Sequence, residues 1–255
     1  MKRVLLILLG VVLLLVGGLA ALVVPQFSGG KPSVDGAELP GGARLVKDGF
    51  VNAYLLPAGE KDFALVDCGA DKDGKAIDAE LARRGLGAEA VKAIFVTHGH
   101  GDHIGGCRLF PQAQVFVFPG DQGLVEGVEA AKGFVPTMAG PAKELATKVT
   151  RTLQDGETVT VGTLQVRAFS LPGHTAGSGA YLAGGVLYLG DSLAAKADGS
   201  VRIAPWFFSD DADQNVASVK ALAARLQKEP GAVTALAFAH SGPDADPQPL
   251  WDFAK

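Results

Sequence analysis

The sequence predicts an α+β fold: short strands collected into a mixed sheet or two sheets, helices outside, and one transmembrane helix ahead of them. Three observations carry this reading. Residues 4–24 contain no charged side chain. Beyond residue 39, short apolar runs rich in strand formers are parted by glycine-containing turns and interspersed with helical segments. All five histidines stand where a strand-like run ends, none within a helical stretch.

Met1-Lys2-Arg3 is a short basic start, and the 21 residues Val4 to Val24 that follow are interrupted only by Gly and Ala. About 20 apolar residues suffice to cross a bilayer core as a helix. The stretch "GGLAALVVPQFS" offers no clean cleavage site, and no cysteine stands near its end to carry a lipid. A retained anchor over residues 1–24 is therefore expected. A cleaved signal peptide, leaving a secreted protein, is the alternative. Lys2 and Arg3 outweigh the nearby Lys31, which places the amino terminus in the cytoplasm. The remainder would then lie on the periplasmic or extracellular side of a bacterial-type inner membrane. Residues 25–38, rich in Gly, Pro and Ser, read as a flexible spacer. Residues 39–255 suit one globular domain with a sizeable core.

Asn52 to Leu56 and Phe63 to Val66 read as paired strands. Lys75 to Arg84 reads as a helix, with Ile77 and Leu81 on one side and Gly85 to stop it. Ala93 to Thr97 is a strand, the residues after Asp102 enter a helix, and Gln114 to Phe118 is the next strand. Residues 119–148 give only weak helical signals. Four short strands follow: Thr158 to Val161, Leu164 to Ser170, Gly179 to Leu182 and Val186 to Leu189. Asp213 to Lys228 keeps helical spacing through Val216, Val219, Leu222, Ala223 and Leu226, and Pro230 closes it. Val233 to Phe238 is the last strand.

The net charge is −4, and no basic run occurs in the globular part. That argues against a nucleic-acid partner, which would require a cationic surface. Cys68 and Cys107 are too few for a disulfide scaffold and lack CxxC spacing. They could pair if the domain is exported.

"FVTHGHGDHIGG", residues 95–106, packs His98, His100, Asp102 and His103 into six positions directly after a strand. His174 in "SLPGHTAGS", Asp191 in "LYLGDS" and His240 in "LAFAHSGP" also follow strands, as does Asp67 in "ALVDCG". A lone histidine at a strand end is most often structural, but five out of five point to one shared metal site. Imidazole and carboxylate donors without thiolate suit Zn, Mn or Fe at a catalytic site. Five histidines with Asp102 and Asp191 give seven donors, too many for one tetrahedral ion and suited to two. Two such ions roughly 3.5–4 Å apart can hold a water, lower its pKa and clamp a substrate oxygen.

In their order and spacing, these residues resemble the metallo-β-lactamase-fold hydrolases, over nearly all of residues 40–245. The resemblance also takes in "NAYLL" and "LVDCG". It implies a four-layer αββα sandwich with two divalent ions, zinc first among the candidates, at one edge. His98, His100 and His174 would hold one ion; Asp102, His103 and His240 would hold the other. Asp191 would bridge, which makes Asp102 and Asp191 the catalytic carboxylates. Asp67 matches the family's aspartate that orients a ligand or its loop; a plain turn residue is the alternative. True β-lactamases of the family lack Asp at the bridging position. Asp191 therefore points to an ester-like bond (thioester, lactone or phosphodiester) in a small-molecule substrate. Fifteen residues follow His240, where glyoxalase II carries a long helical extension, so glutathione thioesters are not the expected substrate. Trp206, Phe207 and Phe208 would either wall a partly apolar pocket or pack in the core. A mononuclear-iron enzyme resembling persulfide dioxygenases and a non-catalytic metal-binding module stay open. The sequence says nothing of oligomeric state.

Overall fold

The computed structural model describes residues 17–18, 23–26 and 28–255. Most of the expected anchor, residues 4–24, lies outside them. Among the described residues no helix is long and apolar enough to cross a membrane.

Two sheets face each other. The first has six strands in sequence order: β1 (Arg44–Asp48), β2 (Val51–Pro57), β3 (Phe63–Val66), β4 (Val91–Phe95), β5 (Gln114–Val117) and β6 (Arg151–Thr152). Its β1–β2–β3 part is antiparallel and its β3–β4–β5–β6 part parallel. The second contains β7 (Thr158–Val161), β8 (Leu164–Ser170), β9 (Gly179–Ala183), β10 (Val186–Tyr188) and β13 (Ala235–Ala237), in the order β13-β10-β9-β8-β7. A two-stranded ribbon, β11 (Ala194–Ala195) with β12 (Val201–Arg202), stands apart.

Side-chain alternation explains the layers. Along β2, Tyr54 and Leu56 enter the core between the sheets, while Ala53 and Leu55 turn outward beneath the helix Lys75–Arg83. β4 divides in the same way, Ala93 and Phe95 inward, Val91 and Ile94 outward. Strands covered on both faces therefore read as continuous apolar runs. On the far side, Val219, Leu222 and Leu226 of the helix Ala212–Leu226 pack against Phe169, Leu187 and Leu236. These three clusters make the αββα sandwich. The helix begins where Asp211 accepts a hydrogen bond from the Gln214 amide at 2.8 Å, an N-cap.

The structure adds elements that the pattern did not announce: β1, the two-residue strands β6, β11 and β12, and a closing helix, Gln248–Phe253. β1 turns into β2 through Gly49 and Phe50, with Gly49 at φ 61°, so Phe50 sits at a hairpin tip. Part of the expected spacer is also held. The Lys31 amide donates to the Ala195 carbonyl, the Gly242 amide to Lys31, and the Lys47 amide to the Asp35 carboxylate. Gly, Pro and Ser left this stretch without a pattern, but its backbone pairs with the ribbon and the domain edge. Cys68 and Cys107 form a disulfide.

Candidate metal centre

Strand direction assembles the site. β3 and β4 run parallel in the first sheet; β8, β10 and β13 run parallel in the second, since β9 is antiparallel to both β8 and β10. The residues just past their carboxyl ends therefore meet at one edge of the sandwich: Asp67 after β3, His98 to His103 after β4, His174 after β8, Asp191 after β10 and His240 after β13. Cross-sheet bonds fix that edge. The Tyr54 hydroxyl donates to the Phe238 carbonyl at 2.7 Å, and the Tyr181 hydroxyl to the Val96 carbonyl at 2.7 Å.

The seven expected ligands come together in two groups that touch. His98 Nε2, His100 Nδ1 and His174 Nε2 form a triangle with edges of 3.0, 3.1 and 3.1 Å. Nitrogens about 2.0–2.1 Å from one tetrahedral zinc lie roughly 3.3 Å from one another, so the triangle has the size of such a ligand face. In the second group His240 Nε2 lies 3.3 Å and His103 Nε2 3.9 Å from Asp102 Oδ2. Asp191 stands between the groups. Its Oδ2 is 3.5 Å from His174 Nε2 and 4.0 Å from His98 Nε2. Its Oδ1 is 3.2 Å from His240 Nε2 and 3.4 Å from His103 Nε2. Each carboxylate oxygen thus faces a different group. His103 Nε2 and Asp191 Oδ1 are buried without a hydrogen-bond partner, an arrangement that is costly unless a cation completes it.

The second ring nitrogens of His103, His174 and His240 are held from behind, as ligand imidazoles require, whereas His100 Nε2 is buried without a partner. His103 Nδ1 lies 2.8 Å from Asp67 Oδ2, which also accepts the Thr97 hydroxyl, while Asp67 Oδ1 accepts the Thr97 amide. Asp67 is the one non-glycine with positive φ among the described residues, at 59°. Its bonds hold the carboxylate in that unfavoured backbone conformation. His174 Nδ1 is 3.1 Å from Ser209 Oγ, and His240 Nδ1 donates to the Phe50 carbonyl at 3.0 Å.

Sequence reasoning did not find Asp121. It is fully buried and accepts from the Gly99 amide, the Gly177 amide and the Thr175 hydroxyl, each at 2.7 Å. It therefore ties the His98–His100 loop to the loop bearing His174. Gly99 is required there, because a Cβ would come within 2.3 Å of Leu124 Cβ.

Burial and neighbouring imidazoles hold His98 and His100 below the ordinary histidine range, and burial brings His174 down to about 3. The first group is thus neutral, with lone pairs free. Burial alone would also lower His103 and His240, but Asp191 and Asp102 outweigh it, raising His240 to about 10. A cation entering the second group must displace protons. Acidification is therefore expected to strip metal from the second group before the first. Metal content measured against pH would show two steps; simultaneous loss would mean that the groups are not distinct sites.

A cleft of about 720 Å³ opens over the cluster, reaching His100, Asp102, Asp191 and His240. Leu124, Val135, Leu145, Leu193, Ile203 and Phe208 are apolar members of its wall. Of the three aromatics that would either wall it or pack in the core, Phe208 lines it, Phe207 is buried and Trp206 is exposed. They form a single 3₁₀ turn, in which successive side chains point about 120° apart, so they cannot share one wall.

Residues 46–240 match the model of the metallo-beta-lactamase superfamily. The chain is 32% identical over 152 residues to the uncharacterised protein YobT of Bacillus subtilis, covering 56% of this chain and 62% of that one. It is 32% identical over 168 residues to a hydroxyacylglutathione hydrolase of Cupriavidus metallidurans, covering 63% and 54%. It thus spans about half to three-fifths of the length of these relatives. A metallo-beta-lactamase family protein of Thermus thermophilus shares the fold with a TM-score of 0.59 at 25% identity, over 85% of this chain and 77% of that one.

Proposed function

Because this chain belongs to the metallo-beta-lactamase superfamily, we propose that it is a membrane-anchored, dinuclear metal-dependent hydrolase of an ester-like bond. The observation that carries the reading is Asp191, with one oxygen toward each group of imidazoles. His98, His100 and His174 would hold one ion, Asp102, His103 and His240 the other, and Asp191 both. When bound, the ions supply a water of lowered pKa and polarise the substrate oxygen. The chain's own residues supply the rest. Asp67, Ser209 and the Phe50 carbonyl fix the ring orientations. Phe208 and its apolar neighbours exclude bulk water. Zinc is the first candidate for imidazole and carboxylate donors, with Mn or Fe possible from the same set.

Asp191 at the bridging position and relatives named hydroxyacylglutathione hydrolase favour a thioester, lactone or phosphodiester over a β-lactam. The second group, Asp102, His103 and His240, favours two ions over one iron. The test is metal analysis of the purified protein alongside a panel of thioester, lactone, phosphodiester and β-lactam substrates. Two ions per chain, activity abolished by chelation and restored by Zn, Mn or Fe is the expected result. Full activity with metal content verified as nil would remove the mechanism.

For residues 1–24 the proposal is a retained anchor, with the catalytic domain outside the cytoplasm. The uncharged run, the basic start and the Cys68–Cys107 disulfide, a bond typical of oxidising compartments, support it. The full chain should stay with membranes through a carbonate wash. Recovery of a mature protein lacking residues 1–24 would overturn the anchor.

A further inference from the structure

The chain just past the apolar run lies at the cleft. Gln26 and Gly30 are part of its wall, only two and six residues past the uncharged stretch that ends at Val24. Arg202, also in that wall, donates to the carbonyls of Pro25 at 3.3 Å and Ser28 at 2.9 Å. The Ala197 amide donates to Gly29 and the Lys31 amide to Ala195. The chain emerging from residues 4–24 is thereby fastened to the β11–β12 ribbon, whose Ala194 and Arg202 face the cleft.

The rim of the same cleft carries most of the large apolar side chains that are exposed among the described residues. Phe50 is 68% exposed, and it stacks on His240 with ring centroids 5.7 Å apart. On the segments bearing Val135, Pro136, Ala139 and Phe208 stand Phe134 (68%), Met138 (79%) and Trp206 (64%), with the Phe134 and Trp206 rings 6.5 Å apart. Exposed apolar side chains gathered around one opening mark a surface that meets something apolar. The attachment of residues 25–31 beside that opening identifies it, since a chain anchored by residues 4–24 holds this rim next to the lipid.

We propose that the mouth of the cleft rests on the bilayer and admits the acyl chain of a membrane-resident ester, whose scissile bond reaches the His/Asp cluster. This rests on the hydrolase reading and the retained anchor above. The apolar wall takes the chain, and its volume is of the size that encloses most of a small amphiphile. For a thioester, water's oxygen bonds to the acyl carbon and the carbon–sulfur bond breaks. One proton of the water goes to the thiol, and the acid product releases the other.

Two readouts test this on the full chain in phosphatidylcholine vesicles. In a Trp251→Phe background Trp206 is the only tryptophan, and brominated acyl chains should quench its emission from a depth of about 5–10 Å. The metal-loaded enzyme should also hydrolyse a bilayer-borne dodecanoyl thioester faster than an acetyl thioester. Phe134→Ser, Met138→Ser and Trp206→Ser combined should cut only the dodecanoyl rate, by about tenfold or more. Unquenched Trp206, or equal loss on both substrates, overturns the inference and leaves the hydrolase standing. Turnover of neither thioester by metal-loaded enzyme, with Trp206 quenched, overturns the acyl-ester assignment while keeping the membrane contact.

Discussion

Asp191→Ala is expected to lower turnover by more than about a hundredfold, the scale on which changes at or beside metal ligands act. Metal should be lost from both groups. The four imidazole nitrogens nearest its carboxylate belong two to each group, at 3.5 and 4.0 Å on one side and 3.2 and 3.4 Å on the other. Among the described residues the other clustered carboxylate, Asp102, belongs to the second group. Two divalent cations held close together repel, and the negative charge between them offsets that repulsion. His240→Ala removes a donor at the exposed rim of the second group and should weaken mainly that ion. Asp191→Ala should weaken both. The domain should remain folded, because the three hydrophobic clusters do not include Asp191. Metal stoichiometry, turnover and a circular-dichroism melt of the same sample decide the matter. An Asp191→Ala protein with two metals per chain and near-normal turnover would refute the bridging role.

Asp121→Ala is expected to act on stability and metal together. The carboxylate accepts three hydrogen bonds inside the protein, and its loss leaves the Gly99 and Gly177 amides buried without acceptors, while the Thr175 hydroxyl keeps Ser178 Oγ at 2.7 Å. A buried donor stripped of its partner costs about 1–3 kcal/mol, so a loss of about 2 kcal/mol or more is expected. The Gly99 and Gly177 amides belong to the two loops that bring His98, His100 and His174 into their triangle. The first group should therefore lose metal affinity although Asp121 is not one of the seven clustered donors. Denaturant melts of the metal-free protein give the first effect, and metal titration gives the second. A stable variant with unchanged affinity would show that the two loops need no such tie.

The contrast between Asp191 and Asp121 shows what the sequence could carry. His98, His100, His174, Asp191 and His240 each follow a strand within a few residues, so a linear pattern of apolar run, turn and donor marks them; His103, contrary to the expectation that no histidine stands in a helical stretch, lies in the short helix Gly101–Ile104. Asp121 lies in "FPGDQG", which reads as an ordinary turn; its partners are 22, 54 and 56 residues away. Tyr54 is the same case, reading as a strand residue until its hydroxyl is found on the Phe238 carbonyl. The helix Ala212–Leu226 was legible because its apolar spacing is long and Pro230 marks its end, although that spacing starts it at Asp213 and misses the capping Asp211. Strands of two residues have no period to read. β1, with Arg44, Lys47 and Asp48 among its five residues, hides its buried Leu45 and Val46 behind charge.

The Cys68–Cys107 bond bears on the order of maturation. Cys68 directly follows Asp67, and Cys107 packs its sulfur against the His103 carbonyl at 4.0 Å. While reduced, these thiols, one residue from Asp67 and four from His103 along the chain, would be rival soft donors for a metal ion. Once joined they cannot coordinate as thiolates, and only imidazoles and carboxylates remain. A chain that meets metal before it is oxidised can trap the ion on sulfur, whereas one oxidised first offers it only the seven-donor site. Oxidation before metal delivery is thus the sequence of events that leads without detour to a correctly loaded protein.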